Sequence, residues 1–198
     1  MRIWHSVRVQ TQDGHSPSTP IPADKLFASP PSDEWPTGRC DTAIFSINPE
    51  NGPAQPPPGL DGKSWPHFKM CLILTIMEGF FVGQIRAIFH PIWNIPTKYP
   101  LYLVYVQRFD IVPQTHLPRG MRLAPDPVHG MYVLRRAYRS DGLPMGAIVP
   151  LYHLRMPVHL IPRFGEKADP RLTPQTSFDN SRDFFLNHYF DKWDFSFL

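Results

Sequence analysis

Between positions 81 and 164 the chain falls into short segments in which apolar and polar residues alternate. Phe81–Phe89 alternates from Ile85 onward. Leu101–Phe109 is aromatic and β-branched, with apolar residues on both faces at its start. Gly130–Arg136, Met145–Pro150 and Val158–Pro162 follow, each bounded by Gly or Pro. Side chains along a strand point alternately to two faces, so a period of two marks a strand with one buried side. The two-sided start of 101–109 fits a central strand covered on both faces. Ser140-Asp141-Gly142 supplies the Asp-Gly pair of a tight turn. Five short strands with such punctuation predict a mainly β fold with a minor α part: a small antiparallel barrel or a partly open sheet.

The pattern changes on either side. Residues 1–66 hold twelve of the prolines and only two strand candidates, 4–10 and 42–47. The rest of that segment reads as an irregular Pro-rich arm, with Pro56-Pro57-Pro58-Gly59 as a stiff connector. Residues 67–80 read as an apolar insertion whose run Met70–Met77 fits a buried strand or two turns of helix equally. Residues 165–177 read as a loop. Over 178–190, Phe178, Ser181, Phe185 and Tyr189 share one stripe at helical spacing, with Ser177 or Asp179 as the cap, which predicts a C-terminal helix. The tail Trp193–Leu198 is rich in aromatic residues and is expected to dock on the body. The expected organisation is an arm (1–66), an insertion (67–80) and a β-rich domain with its helix (81–198).

Composition narrows this picture. Of 198 residues, 25 are proline, a density that argues against long helices and broad central sheets. The apolar share of 42% is enough for a core, and the net charge of +3 is mildly basic. Cys40 and Cys71 do not make a disulfide framework. No segment approaches the roughly 20 apolar residues that span a bilayer, and the first residues lack a signal-type apolar stretch. The expectation is an intracellular protein, nuclear or cytoplasmic, not secreted and without a membrane partner.

Candidate chemistry is sparse. His67 and Cys71 are four apart and His153 and His159 six apart, but no second pair completes a zinc site, so no metal is expected. Arg39 precedes Cys40 and would lower its thiol pKa, yet a nucleophilic cysteine also needs a base. Nucleophile elbows, phosphate-binding loops and dinucleotide fingerprints are absent. Among the strand candidates only Asp110 is acidic, at one end, which does not make a two-metal site. No catalytic residue and no cofactor is assigned; an enzyme built on Cys40 or a histidine cluster is the third-ranked reading. One charge pattern stands out. From Arg119 to Arg163 there are seven arginines against Asp126 and Asp141. Arg135, Arg136, Arg139, Arg155 and Arg163 are the candidate phosphate contacts, with Tyr132 and Tyr138 placed to stack. The plain alternative is an ordinary solvated face, and adjacent Arg135 and Arg136 would point to opposite sides of a strand.

Several blocks occur in a familiar order: Arg39-Cys40-Asp41-Thr42, Val82–Phe89, Tyr105–Phe109, Gly130–Val133, Ala147–Leu151, Val158–Gly165 and Phe184–Asn187. Together they resemble the C-terminal region of fungal Plavaka-type transposases of the KDZ superfamily, and Ile3–Gln10 fits the segment before it. The resemblance spans most of the chain. It implies a transposon-derived module in which the acidic, DNA-cutting core lies elsewhere, so it transfers no catalytic residue. It also implies that 63–80 is inserted, since Gly59–Gly62 would run almost directly into Val82. Two functions fit: a non-catalytic accessory module contacting nucleic acid or a protein partner, or a truncated transposase remnant without selected activity.

Overall fold

The computed structural model describes residues 2–10, 23–47, 80–91, 102–114, 124–165, 167, 169–170 and 172–187. Among them are β1 (Arg2–Trp4), β2 (Ser6–Val9), β3 (Asp24–Ser29), β4 (Arg39–Cys40), β5 (Thr42–Ser46), β6 (Phe80–His90), β7 (Leu103–Ile111), β8 (Val133–Arg136), β9 (Gly146–Pro150), β10 (Leu154–Pro162) and β11 (Asp183–Asn187). A single helical turn, α1, covers Ser177–Asn180.

Every strand pairing is antiparallel, and six strands close on themselves. β6 pairs with β5, β5 with β10, β10 with β11, β11 with β8, β8 with β7, and β7 returns to β6. A closed ring has no open edge, which the short Pro-punctuated strands would otherwise have to protect. Two further strands use the lengths of β6 and β7 that the ring leaves over. β1 pairs with Ile88–His90, beyond the stretch that β5 occupies, and β9 pairs with Leu103–Gln107, before the stretch that β8 occupies. β2, β3 and β4 form a separate small sheet.

Two apolar cores lie on the two faces of β5, β6 and β7. The inner core takes at least one side chain from each ring strand: Ile44, Val82, Phe109, Leu134, Leu160, Phe184 and Leu186. The outer core takes the alternate residues Ala43, Phe45, Phe81 and Ile85, with Ile88, Val104 and Val106, and the small sheet covers it with Leu26 and Ala28. This is why every residue of β5 is buried and why β7 sends apolar residues to both faces, Val104 and Val106 to the outer core and Phe109 to the inner. Buried polar side chains on β5 are bonded: the Thr42 hydroxyl donates to the Val158 carbonyl at 2.6 Å and the Ser46 hydroxyl to the His153 carbonyl at 3.5 Å, while a ring nitrogen of the buried His153 lies 2.9 Å from the Ser46 carbonyl.

The alternation expected in β6 from Ile85 onward is corrected: it holds from Phe81 to Ile85 and is interrupted by a bulge between Ile85 and Ala87. The extra residue lets Ile85 and Ile88, three apart, both serve the outer core, and it re-aims Arg86, whose guanidinium meets the Asp179 carboxylate at 3.3 Å. β10 carries a second register shift at Arg155. Pro157 stands in β10 where β11 has not yet begun to pair, so a missing donor is tolerated there.

The five strand expectations over 81–164 match β6 to β10, and 42–47 matches β5. The expected strand 4–10 is divided at His5: β1 belongs to the large sheet and β2 to the small one, while the His5 carbonyl accepts the Ala28 N–H at 2.8 Å. The expected helix over 178–190 is corrected. Helix ends at Asn180, and Asp183–Asn187 is a strand with Phe184 and Leu186 buried in the inner core. Ring closure decides this, because β11 is the only described strand that joins β10 to β8. The apolar run 70–77, residues 188–190 and the aromatic tail lie outside the described residues. No helix among the described residues is long and apolar enough to cross a membrane.

Candidate nucleic-acid interface

The five candidate arginines take four different situations. Arg136 points into the ring and is 8% exposed. Its Nη1 donates to Gln84 Oε1 at 2.9 Å and its Nη2 to the Phe178 carbonyl at 2.8 Å, while its charge faces Phe109, Phe178 and Phe184 at 5.1–5.4 Å. It fastens α1 over the mouth of the barrel. Arg135, its neighbour, faces outward as the alternation requires. It holds Asp183, its register partner on β11, in a two-pronged ion pair at 2.6 and 2.8 Å. Arg163 leaves the end of β10 next to the same carboxylate, since its backbone N–H donates to the Asp183 carbonyl at 2.8 Å. Arg139 is exposed in the tight turn after β8, where Gly142 adopts the left-handed φ of +79° expected of the Asp-Gly pair. Arg155 sits at the β10 bulge, about 25 Å along the strand from Arg163. Only Arg135 and Arg163 are brought together. Of the two tyrosines, Tyr132 is buried in the inner core, where burial raises its pKa, and Tyr138 is exposed.

The Arg163 end of the barrel carries an open groove of about 500 Å³. Arg163 and Phe164 line it from the exit of β10, Lys167 and Asp169 from the following loop, and Asn180 and Arg182 from the α1–β11 junction. Arg182 and Lys167 carry no local sequence signal, because both lie outside the arginine-rich window and on either side of the expected helix start. Three arginines surround Asp183. Its carboxyl is held below the ordinary range first by the hydrogen bonds from Arg135, then by the Arg135, Arg182 and Arg163 charges, against partial burial. Asp126 is also lowered, first by its contact with the His129 ring at 3.0 Å, and it lies 4.0 Å from Arg163. The groove is therefore cationic but internally balanced in part, a surface suited to a few anion contacts rather than to a long polyanion track.

The Asp183 pair has a consequence for stability. A carboxyl with a depressed folded pKa stabilises the fold above its unfolded value near 3.9, and that contribution disappears as pH falls through the folded value. Asp183→Asn is expected to lower the melting temperature at pH 7 and to show a shallower acid loss below about pH 4 than the parent chain. Parallel acid limbs in thermal melts of the two proteins would contradict this.

The other candidate chemistry is not assembled. Cys40 is half-buried, and burial is the leading reason its thiol pKa rises; Arg86, Asp179 and Asp41 act after it. The expected lowering by Arg39 is corrected, since that guanidinium lies 3.9 Å over the Phe27 ring and 3.8 Å from Asp41. His153 is buried and His159 exposed on different parts of the chain leading through β10. His67 and Cys71 lie outside the described residues. Among the described residues no three His, Cys, Asp or Glu side chains gather closely enough to hold a metal ion.

No curated protein and no solved structure matches the chain. A family model described as a domain of unknown function (DUF6830) matches residues 1–124, which contain β1 to β7 and hence the outer core, whereas the groove lies beyond the match. With more than half of its length covered, the chain belongs to the DUF6830 family.

Proposed function

We propose that this chain is a non-catalytic, transposon-derived accessory module whose barrel contacts nucleic acid phosphates through the groove at the Arg163 end. The observation that carries the reading is the convergence of Arg182, from the α1–β11 junction, with Arg163 and Lys167, from the segment that leaves β10, on one open concavity. Arg163 and Lys167 are near in sequence, but Arg182 meets them only because the fold sets the start of β11 beside the end of β10. Guanidinium groups fork onto phosphate oxygens, and a lysine adds a point charge. The blocks that resemble Plavaka-type transposases support a transposon origin, and they carry no acidic cutting site into this chain.

The reading predicts a salt dependence. Two or three neutralised phosphates give a log–log slope of roughly −1.5 to −2.5, so affinity should fall about ten- to thirtyfold between roughly 50 and 200 mM salt. Fluorescence anisotropy with labelled oligonucleotides measures this. The absence of binding at low salt, or binding that salt does not weaken, would remove the proposal.

A further inference from the structure

Phe164 is an apolar ring left 48% exposed inside the cationic groove, and this feature is not explained by phosphate contacts alone. A ring in that position meets water on the side where the groove is open. The adjacent backbone leaves room for an approaching group, since a Cβ built on Gly165 would meet nothing within 4 Å. Arg163 precedes the ring, and Lys167 and Arg182 line the same concavity. By contrast, the neighbouring Phe185 is already covered, by the Arg163 guanidinium at 5.5 Å and the His129 ring at 4.8 Å. The groove thus offers one half-exposed aromatic ring with Arg163, Lys167 and Arg182 against Asp169 along its lining, in a volume within the range of about 300–1,000 Å³ that accommodates small-molecule-sized ligands.

We infer that the groove binds single-stranded nucleic acid, with an unpaired base stacked on Phe164 and the flanking phosphates on Lys167 and Arg182. This rests on the proposed function and specifies its ligand. The bases of a duplex are covered above and below by their neighbours, so a lone ring in a concavity gains nothing from them. A single strand presents free base faces and a flexible backbone at once, and stacking on an aromatic platform tolerates any base.

The test uses the full chain with a labelled oligothymidylate and with the same strand annealed to oligoadenylate, at about 50 mM salt. The single strand is expected to bind at least about tenfold more tightly than the duplex. Phe164→Ala should weaken single-strand binding about tenfold while leaving the salt slope in place. Arg182→Ala should reduce the slope by about 0.7. Equal or tighter duplex binding would overturn this inference while leaving the proposed function standing. Binding of neither probe would remove both. Undiminished single-strand binding by Phe164→Ala, with its melting temperature unchanged, would overturn the platform.

Discussion

Arg136→Ala is expected to destabilise the protein by about 3–5 kcal/mol, a cost several times that of removing the exposed Arg139. The side chain fills the mouth of the ring and is bonded at both ends of its fork. Its loss leaves Gln84 Oε1 and the Phe178 carbonyl without their donor and opens a void among Phe109, Phe178 and Phe184. Orphaning buried polar groups costs about 1–3 kcal/mol each, and the void adds to this. For a chain of this length the melting temperature should fall by about 10 °C. Lysine is not expected to rescue it, because a single ammonium cannot reproduce a planar fork with two separated acceptors. Arg139→Ala, at an exposed turn, serves as the comparison and should leave the melting temperature within a degree or two. Equal effects of the two substitutions in thermal melts would show that Arg136 is not a plug.

The second large effect distinguishes strand from helix at the C-terminal side. Phe184→Ala should cost about 3–5 kcal/mol, because Phe184 is fully buried and packs on Phe109 and Phe178 with ring centroids 5.4 and 4.7 Å away. Phe185→Ala should cost only about 1 kcal/mol, since that ring lies on the outer side of β11 under Arg163 and His129. A helix over 178–190 would reverse the order, because Phe178 and Phe185 would share its buried stripe and Phe184 would not. Chemical denaturation of both variants reads the difference directly.

The segment around these rings also shows where the sequence is legible and where it is not. Phe178, Ser181 and Phe185 satisfy a helical period, while Phe184 and Leu186 satisfy a strand period, and over so few residues neither excludes the other. What decides is non-local: β10 and β8 need a strand between them. The same reason hides β3. Asp24–Ser29 sends only Leu26 and Ala28 inward and is flanked by proline, so nothing local separates it from extended loop. By contrast β6, β7 and β10 are long enough for their alternation to be read, and the two-sided apolar content of β7 correctly announces a strand between two cores. The bulge at Arg86 has no sequence signal beyond a break in the alternation.

The groove was only half legible. Arginine excess is visible in the chain, but which arginines are consumed depends on partners. Arg135 is engaged by Asp183, forty-eight residues away, and Arg136 by Gln84, fifty-two residues away. Neither partner lies within its local sequence, so local charge counting assigns both to a surface patch. Arg182 enters the groove beside Arg163 and Lys167 only because β11 starts where β10 ends, Phe184 opposite Pro162.

All of this depends on the six strands forming a closed circuit rather than an open sheet, and cross-strand amide contacts by NMR test that most directly. Closure predicts that β6 shows neighbours on both sides in one molecule, Ala43–Gly83 on the β5 side and Gly83–Arg108 on the β7 side, together with Leu160–Leu186 and Phe184–Leu134 across β11. A spectrum in which either the β6–β7 set or the β11–β8 set is missing would describe an open sheet. The inner core, the Arg136 plug and the groove would then have no common frame.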